Sequence, residues 1–344
     1  MKRITTLSVG IAFLAGVSLQ TALAQPVLIN GAGASFPYPV YTKWCDLFHK
    51  KVSNIQVNYA SQGSGAGVSR VTDGTVDFGA SDPPMSDAEI KAFRDKNGYG
   101  IINFPTVLGA NVPIYKLAGE NVPLNFTGEA LAGIFLGKIT KWNDSAITGP
   151  NPGVKLPDHN IVVVHRSDAS GTSYVWADFL SRVSPEWKPL VNKSPNWPVG
   201  LGGKGSEGVA GTVQNTQFSI GYVELTYAIQ NKMQFGKVKN AAGQFVTADL
   251  AGVTAAAAAA KDVPDDFRAS IVYEPGANSY PVSTFTYLLI PEKIKDPAKK
   301  QAIVDFLKWM LTDGQSTDIL SPLSYAPLPK GLVAREMKAI AKIQ

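Results

Sequence analysis

The sequence predicts an α/β fold in which strands and helices alternate and form a mostly parallel sheet with helices on both faces. Short apolar runs typical of buried strands are followed by stretches whose apolar residues recur at helical spacing. Glycine-rich polar loops join the two kinds of segment at several points. Ligands of such sheets bind beyond the carboxyl ends of the strands, so we expect the functional residues in these loops.

The first strand–loop–helix unit opens with the apolar residues 27–29 and the glycine-rich loop 31–37. A helix is predicted next, because the following apolar residues lie three and four positions apart. These residues are Tyr41, Trp44, Cys45 and Phe48. Pro37 and Pro39 stand at the start of this helix, where proline is tolerated because the first N–H groups have no helical partners.

The second unit has an alternating strand at 55–59, a glycine-rich loop at 63–67 and a short helix that Gly74 ends. A third strand is predicted at 76–80. Ser86 and Glu89 then form a capping box that opens a helix through Ile90 and Phe93.

The C-terminal part again has a strand followed by a helix. Residues 285–290 are predicted to form a strand, and Asp296 caps a helix that Gly314 ends. The apolar face of that helix consists of Ile303, Phe306, Leu307 and Met310. Residues 255–260, all alanine, predict a further helix segment.

The loop 166–173 combines an arginine, four hydroxyls and a glycine between a buried strand and a helix. The strand is predicted at 161–164, where all four residues are β-branched. Trp176, Phe179, Leu180 and Val183 form the apolar stripe of the helix, so Ser170 or Thr172 occupies its N-cap position. Unpaired N–H groups, the positive end of the helix dipole and Arg166 together favour an oxyanion. The alternative is an ordinary capped helix with a surface pair of Arg166 and Asp168.

Asp82 follows the third strand and is the one carboxylate among the candidate donors. Beside an anion it makes physical sense only if the ligand carries a proton that the carboxylate can accept. Phosphate keeps such a proton at neutral pH, whereas sulfate would leave a desolvated acceptor unpaired. The alternative for Asp82 is an ordinary turn aspartate before Pro83 and Pro84.

Residues 1–24 have the features of a secretory signal, with Lys2 and Arg3 before an apolar stretch that ends in Ala22-Leu23-Ala24. We expect cleavage after Ala24 and export of a 320-residue mature chain to the periplasm. No later segment reaches the ~20 apolar residues of a membrane span. The mature length suffices for two domains of about 150 residues each.

Composition argues against several kinds of site. Cys45 is the only cysteine, so no intramolecular disulfide is possible, and its apolar surroundings predict a structural thiol. The three histidines, His49, His159 and His165, share no ligand spacing, so we expect no metal and no cofactor. Without Lys2 and Arg3 the net charge is about +3, which does not indicate a nucleic-acid surface.

Familiar enzyme motifs are incomplete. The phosphate-binding loop of nucleotide hydrolases is absent, and Gly31 and Gly33 lack the third glycine of a dinucleotide site. Ser64 and Ser170 both lie at strand-to-helix turns, yet neither has the flanking glycines of a hydrolase nucleophile elbow. A secreted serine hydrolase with His165 as the base remains an alternative, but we expect no enzymatic activity.

Several long segments resemble the periplasmic phosphate-binding protein of the Pst-type ABC phosphate importer. They are residues 31–41, 76–82, 134–144, 166–172, 200–205 and 220–224, in the same order as in that family and spread over nearly the whole mature chain. The resemblance implies a monomer that binds inorganic phosphate and delivers it to an ABC permease in the inner membrane. A receptor of the same fold for another oxyanion remains the alternative.

The resemblance implies a two-lobed periplasmic binding protein of type II, with the ligand in the cleft between the lobes. One lobe would combine residues 25–108 and 282–344, and the other would span 109–281. The implied phosphate contacts are Ser35, Phe36, Ser64, Asp82, Arg166, Ser170, Gly171 and Thr172, with Asp168 orienting Arg166. Two departures from the family pattern are Ser35, often threonine, and Ala169, often glycine, which would restrict the loop if its φ were positive.

Overall fold

The computed structural model of the protein describes residues 26–117, 123–260 and 263–344. The predicted signal sequence and its cleavage point after Ala24 lie outside these residues. The strands are β1 (Val27–Gly33), β2 (Ile55–Ser61), β3 (Phe78–Ser81), β4 (Ile101–Lys116), β5 (Asn125–Phe126), β6 (Val162–Arg166), β7 (Leu201–Gly203), β8 (Ser219–Glu224), β9 (Gln234–Phe235), β10 (Lys237–Lys239), β11 (Phe245–Val246) and β12 (Ser283–Pro291).

Helices follow most of the strands. They are α1 (Tyr38–Lys51), α2 (Ser64–Thr72), α3 (Asp87–Asn97), α4 (Gly128–Phe135), α5 (Ser145–Thr148), α6 (Gly171–Val183), α7 (Gly205–Asn215), α8 (Leu225–Gln230), α9 (Leu250–Ala259), α10 (Pro297–Met310), α11 (Thr317–Leu320) and α12 (Lys330–Ala339). Among the described helices, none combines the length and apolar character needed to cross a bilayer.

One mixed sheet runs through the molecule in the order β2-β1-β3-β12-β4-β8-β6-β7, with β9 also paired to β4. The pairs at its two ends are parallel, as the alternation of strands and helices predicts: β1 with β2 and β3, and β6 with β7 and β8. The central pairs are antiparallel, because β12 returns from the C-terminal part and inserts between β3 and β4. A small second sheet has the order β11-β10-β5.

Strand β4 connects the two ends of the sheet. It is 16 residues long and buried along nearly its whole length. Its residues 101–110 pair with β12, and its residues 111–116 pair with β8. The loops after β1 and β3 on one side, and after β6 on the other, therefore face each other across this strand.

Most predicted helix starts are confirmed. Ser86 and Glu89 form the capping box of α3, Asp296 caps α10, and Ser170 is the N-cap of α6. The predicted end of α10 is wrong, since the helix stops at Met310 and Gly314 lies in a following 3-10 turn. Cys45 is half-buried rather than fully buried, and burial raises the pKa of its thiol to about 12, as expected for an unreactive thiol.

Candidate functional site

Four loops bring the predicted site residues together at the carboxyl ends of the strands. Ser35 follows β1, Ser64 opens α2, Asp82 follows β3, and the segment 166–172 leads from β6 into α6. The side chains of the set are at most 3% exposed: Ser35, Phe36, Ser64, Asp82, Arg166, Ser170 and Thr172. The alternative of a surface pair at Arg166 is therefore wrong.

Gly171 shows how closely the opposing loops approach. A Cβ atom added at this glycine would lie 2.4 Å from both Asp82 Oδ2 and Ser64 Oγ, far inside contact distance. The neighbouring loops also meet directly, because the Gly65 N–H donates to the Ala169 carbonyl at 2.9 Å. Ala169 does not adopt a positive φ, so the alanine strains nothing here. The loops on the two sides of the site are therefore in direct contact.

The Arg166 guanidinium is fixed by a forked contact to Asp168. Its Nε donates to Oδ1 at 2.8 Å and its Nη2 donates to Oδ2 at 2.5 Å. The Gly205 N–H donates to the same carboxylate at 3.0 Å. Burial opposes ionisation of Asp168, but these bonds and the arginine charge outweigh it and lower its pKa. Asp168 therefore orients Arg166, whose Nη1 is directed towards Thr172 Oγ1 at 3.3 Å.

The hydroxyls of the site are arranged as donors. Ser64 Oγ accepts the Asp82 N–H at 3.2 Å, Ser170 Oγ accepts the Ser173 N–H at 3.1 Å, and Thr172 Oγ1 accepts from Arg166. Because a hydroxyl that accepts one bond keeps its own hydrogen, each of the three can donate to a ligand. Ser170 caps α6, so the first N–H groups of that helix and its positive dipole end add to the same donor set.

Asp82 is the exception among these donors. It is 1% exposed; its Oδ1 accepts from Thr286 Oγ1 at 2.9 Å, and its Oδ2 is buried without a hydrogen-bond partner in the described structure. Burial raises the pKa of this carboxyl to about 7, against the lowering effects of the Thr286 bond and the charges of Arg166 and Lys193. A buried acceptor that the protein itself does not satisfy is a place for a ligand proton.

The structure adds two residues that the sequence did not predict. Ser206, near the start of α7, contacts Ser35 Oγ at 3.0 Å and accepts from Arg166 Nη1 at 3.4 Å. The sequence did contain a pattern that could have identified Ser206, since the glycine-rich segment 200–205 precedes a helix just as the other three loops do. Thr286 lies in the middle of β12, 204 positions from Asp82 in the chain, and no local pattern marks it.

The geometry does not support a nucleophilic serine. His165 Nδ1 bonds the Arg166 carbonyl at 3.0 Å, and its ring stacks on Trp197 with centroids 5.0 Å apart. Neither contact joins this histidine to Ser64 or Ser170. Among the described residues, no three acidic, histidine or cysteine side chains are grouped in a way that could hold a metal.

Comparisons with known proteins agree with this geometry. Residues 20–314 match the model of the PBP superfamily domain. The chain is 44% identical over 313 residues to the phosphate-binding protein PstS of Xylella fastidiosa strain Temecula1, covering 90% of this chain and 84% of the relative. It is 43% identical over 318 residues to PstS of Pasteurella multocida, covering 90% and 89%.

The fold is also similar to that of a high-affinity periplasmic phosphate-binding protein, PfluDING, solved with bound phosphate at pH 8.5. The TM-score is 0.73 at 22% identity, and the match covers 90% of this chain and 93% of the other. The resemblance seen in the sequence and the predicted fold class are both confirmed. The chain belongs to the PBP superfamily and, within it, to the family of the phosphate-binding protein PstS.

Proposed function

We propose that this protein is a periplasmic receptor that binds inorganic phosphate in a closed cleft and delivers it to an ABC permease. The observation that carries the proposal is the buried Oδ2 of Asp82, which has no partner in the residues described and lies amid a set of N–H and O–H donors. Donors suit the oxygens of an oxyanion, and the lone acceptor suits a proton on that oxyanion. The names of the related proteins and the bound phosphate of PfluDING support the same ligand.

The proposed ligand contacts come from both sides of the cleft. They are the hydroxyls of Ser35, Ser64, Ser170 and Thr172, the backbone at Phe36 and Gly171, the Arg166 guanidinium and the Asp82 carboxylate. Arg166 is held ready by Asp168, so less rotational freedom is lost when the anion binds. Asp82 supplies selectivity, because a fully deprotonated anion would leave its Oδ2 unpaired and desolvated.

We further propose two hinged lobes, residues 25–108 with 282–344, and residues 109–281. The change of β4 from β12 to β8 as its partner, between residues 110 and 111, supports a crossing at that point. Phosphate would touch residues of both lobes only when they are closed, so it would shift the opening equilibrium by its difference in affinity for the two states. The permease would then recognise the closed form.

The remaining parts of the proposal concern the whole chain. It would be exported with cleavage after Ala24, act as a monomer without a cofactor, and carry out no catalysis. The observed contacts of His165, with the Arg166 carbonyl and the Trp197 ring and with neither candidate serine, support the last point.

Calorimetry on ligand-stripped protein tests the function. At pH 8.5, where a carboxyl with a pKa of about 7 is largely ionised, we expect phosphate to bind and sulfate to bind more weakly by at least about tenfold. Asp82→Asn should gain sulfate affinity, because the amide N–H₂ can donate to an oxygen that carries no proton. Equal affinities of the wild-type protein for the two anions would remove the role assigned to Asp82.

A further inference from the structure

We propose that Thr286 is a specificity-determining positioning residue, whose hydroxyl holds one oxygen of Asp82 so that the other faces the ligand as an acceptor. The inference rests on the proposed phosphate-binding function and extends it to a residue outside every loop of the site. Thr286 would not touch phosphate, and would act only through Asp82.

The contact itself is well defined. Thr286 is fully buried, and its Oγ1 donates to Asp82 Oδ1 at 2.9 Å. A threonine hydroxyl has a single hydrogen, so this bond commits it to the carboxylate. Within the described part of the chain, Asp82 Oδ2 is left without a partner, close to Ser64 Oγ and to the start of α6 at Gly171. The bond therefore determines which carboxylate oxygen points at the ligand.

A β-bulge fixes the strand at Thr286. Thr286 lies opposite Val107, whereas the next residue, Tyr287, lies opposite Pro105, so Thr106 is an extra residue in β4. Proline has no N–H for the ladder and is found in sheets mainly at edges and bulges. A bulge bends the strand that carries the extra residue and re-aims its side chains, and here the Thr106 side chain of β4 contacts the Thr286 backbone.

Hydrogen bonds then secure the bulge. Thr106 Oγ1 donates to the Thr286 carbonyl at 3.1 Å, which uses its one hydrogen. In the 2.8 Å contact between Tyr41 OH and Thr106 Oγ1, the tyrosine must therefore be the donor. Gln315 Nε2 donates to the Thr106 carbonyl at 2.9 Å. These bonds hold the backbone at Thr286 and Thr106 in place, and with it the hydroxyl that bonds Asp82.

The electrostatic surroundings make this bond consequential. Burial raises the pKa of Asp82 to about 7, and the Thr286 bond is the first of the interactions that oppose it, ahead of the Arg166 and Lys193 charges and the Thr172 hydroxyl. The other titratable groups around Asp82 are Tyr41, Tyr59 and Glu224, whose own pKa values burial raises. Burial thus disfavours the ionised form of all three groups, and none of them carries a positive charge that could replace the lost donor.

Removal of the Thr286 hydroxyl should therefore raise the pKa of Asp82 further. A neutral carboxyl has an O–H hydrogen that it can donate, so a fully deprotonated anion would no longer be rejected. The wild-type protein should lose its selectivity for phosphate over sulfate in the same way, but only at lower pH, where its Asp82 takes up a proton. Thr286 would thus set both the selectivity and the pH range over which it holds.

The test is a calorimetric titration of phosphate and sulfate between pH 6 and pH 8.5. Thr286→Val removes the hydroxyl at nearly constant shape, and Thr286→Ser restores it. Thr284→Val is the matched control on the same strand, since Thr284 Oγ1 bonds the Phe285 carbonyl and not Asp82.

We expect Thr286→Val to lower the phosphate-to-sulfate affinity ratio by about tenfold at pH 8.5, because a hydrogen bond to a charged group is lost. The change should be smaller at pH 7.5, where part of the wild-type Asp82 is already neutral. The pH at which sulfate binding appears should move up by about one unit, the shift that corresponds to that tenfold change. Thr286→Ser and Thr284→Val should behave like the wild type.

Two outcomes would overturn the inference. A folded Thr286→Val with the wild-type ratio and pH profile would show that the hydroxyl has no part in selectivity; if this variant fails to fold, Thr286→Ala is read in the same way. Absence of phosphate binding by the wild-type protein would refute the proposed function and the inference with it. If the wild-type protein binds phosphate, the proposed function stands, and an unchanged Thr286→Val then refutes only the role of Thr286.

Discussion

Glu89 and Lys193 form an ion pair that links the helix after Asp82 to the segment after α6, and we expect its removal to speed the release of phosphate. Glu89 lies on α3 beyond Asp82, and Lys193 follows α6 on the opposing side. Lys193 Nζ and Glu89 Oε1 are 2.5 Å apart. The Lys193 carbonyl also accepts the Ser170 N–H at 2.7 Å, which ties the pair to the loop that would grip the anion.

Glu89→Gln is the suitable change. The residue also belongs to the capping box of α3, where glutamine can serve as well as glutamate. The substitution therefore removes the charge and leaves the helix start intact.

The magnitude follows from partial burial of the pair. The Lys193 and Glu89 side chains are 14% and 29% exposed. Exposed pairs contribute about 0.2–1 kcal/mol, whereas breaking a fully buried pair costs about 3–5 kcal/mol. We expect an intermediate value of about 1–2 kcal/mol in favour of the closed state, which corresponds to release that is roughly 5–30 times faster.

The assay is a chase of radiolabelled phosphate by unlabelled phosphate, followed by rapid filtration at low and high salt. Asp87→Asn is the matched control, because it breaks a second contact, with Arg268, in which the Asp87 side chain is 91% exposed. That control should release phosphate at the wild-type rate. The rate of phosphate release from the wild-type protein should rise with salt concentration, and the release rate of Glu89→Gln should depend less on salt. Equal rates for wild type and Glu89→Gln would refute the reasoning.

Three further predictions concern single residues. Arg166→Ala should weaken phosphate binding by about 2–5 kcal/mol in calorimetry, because a buried charged partner is lost and Asp168 is left unpaired. Gly171→Ala should abolish high-affinity binding while thermal unfolding stays cooperative, since its Cβ would clash with Asp82 and Ser64 in the closed state. Glu336 is buried, neither of its oxygens has a partner among the residues that the structure describes, and burial raises its pKa well above the ordinary value. The folded protein thus holds a proton that the unfolded chain releases above about pH 4.3, so stability falls as pH rises. Relative to Glu336→Gln, the wild type should lose about 1.4 kcal/mol of unfolding free energy per pH unit above that value, up to the folded-state pKa, measured by urea denaturation. A constant difference between the two proteins from pH 4 to pH 8 would contradict this.

Local features of the chain were predictable from the sequence. Helix starts depend on a few neighbouring residues, so the caps at Ser86, Ser170 and Asp296 could be identified directly. The donor loops could be found for the same reason, because each combines glycine and hydroxyl residues between a strand and a helix. Their meeting point followed from the geometry of parallel strands, together with the resemblance to a known family.

Features that depend on distant partners could not be read in this way. The antiparallel centre of the sheet arises because β12 inserts between β3 and β4, which no local pattern encodes. Thr286 looks like any threonine in an apolar strand until its contact with Asp82 is known. One sequence signal lies on the neighbouring strand, opposite the residue after Thr286. It is Pro105, since a proline within an apolar strand run indicates a bulge.

The pairing of Arg166 with Asp168 has a consequence for the charge balance of the site. The arginine charge is neutralised by Asp168, and the Lys193 charge is neutralised by Glu89. Asp82 then makes the surroundings of the anion neutral or negative, depending on its proton. A net cationic pocket is therefore not what attracts the ligand; oriented N–H and O–H dipoles must provide the affinity. Such an arrangement holds an anion at short range with little long-range attraction, so ionic strength should affect the equilibrium affinity far less than in a lysine-rich site.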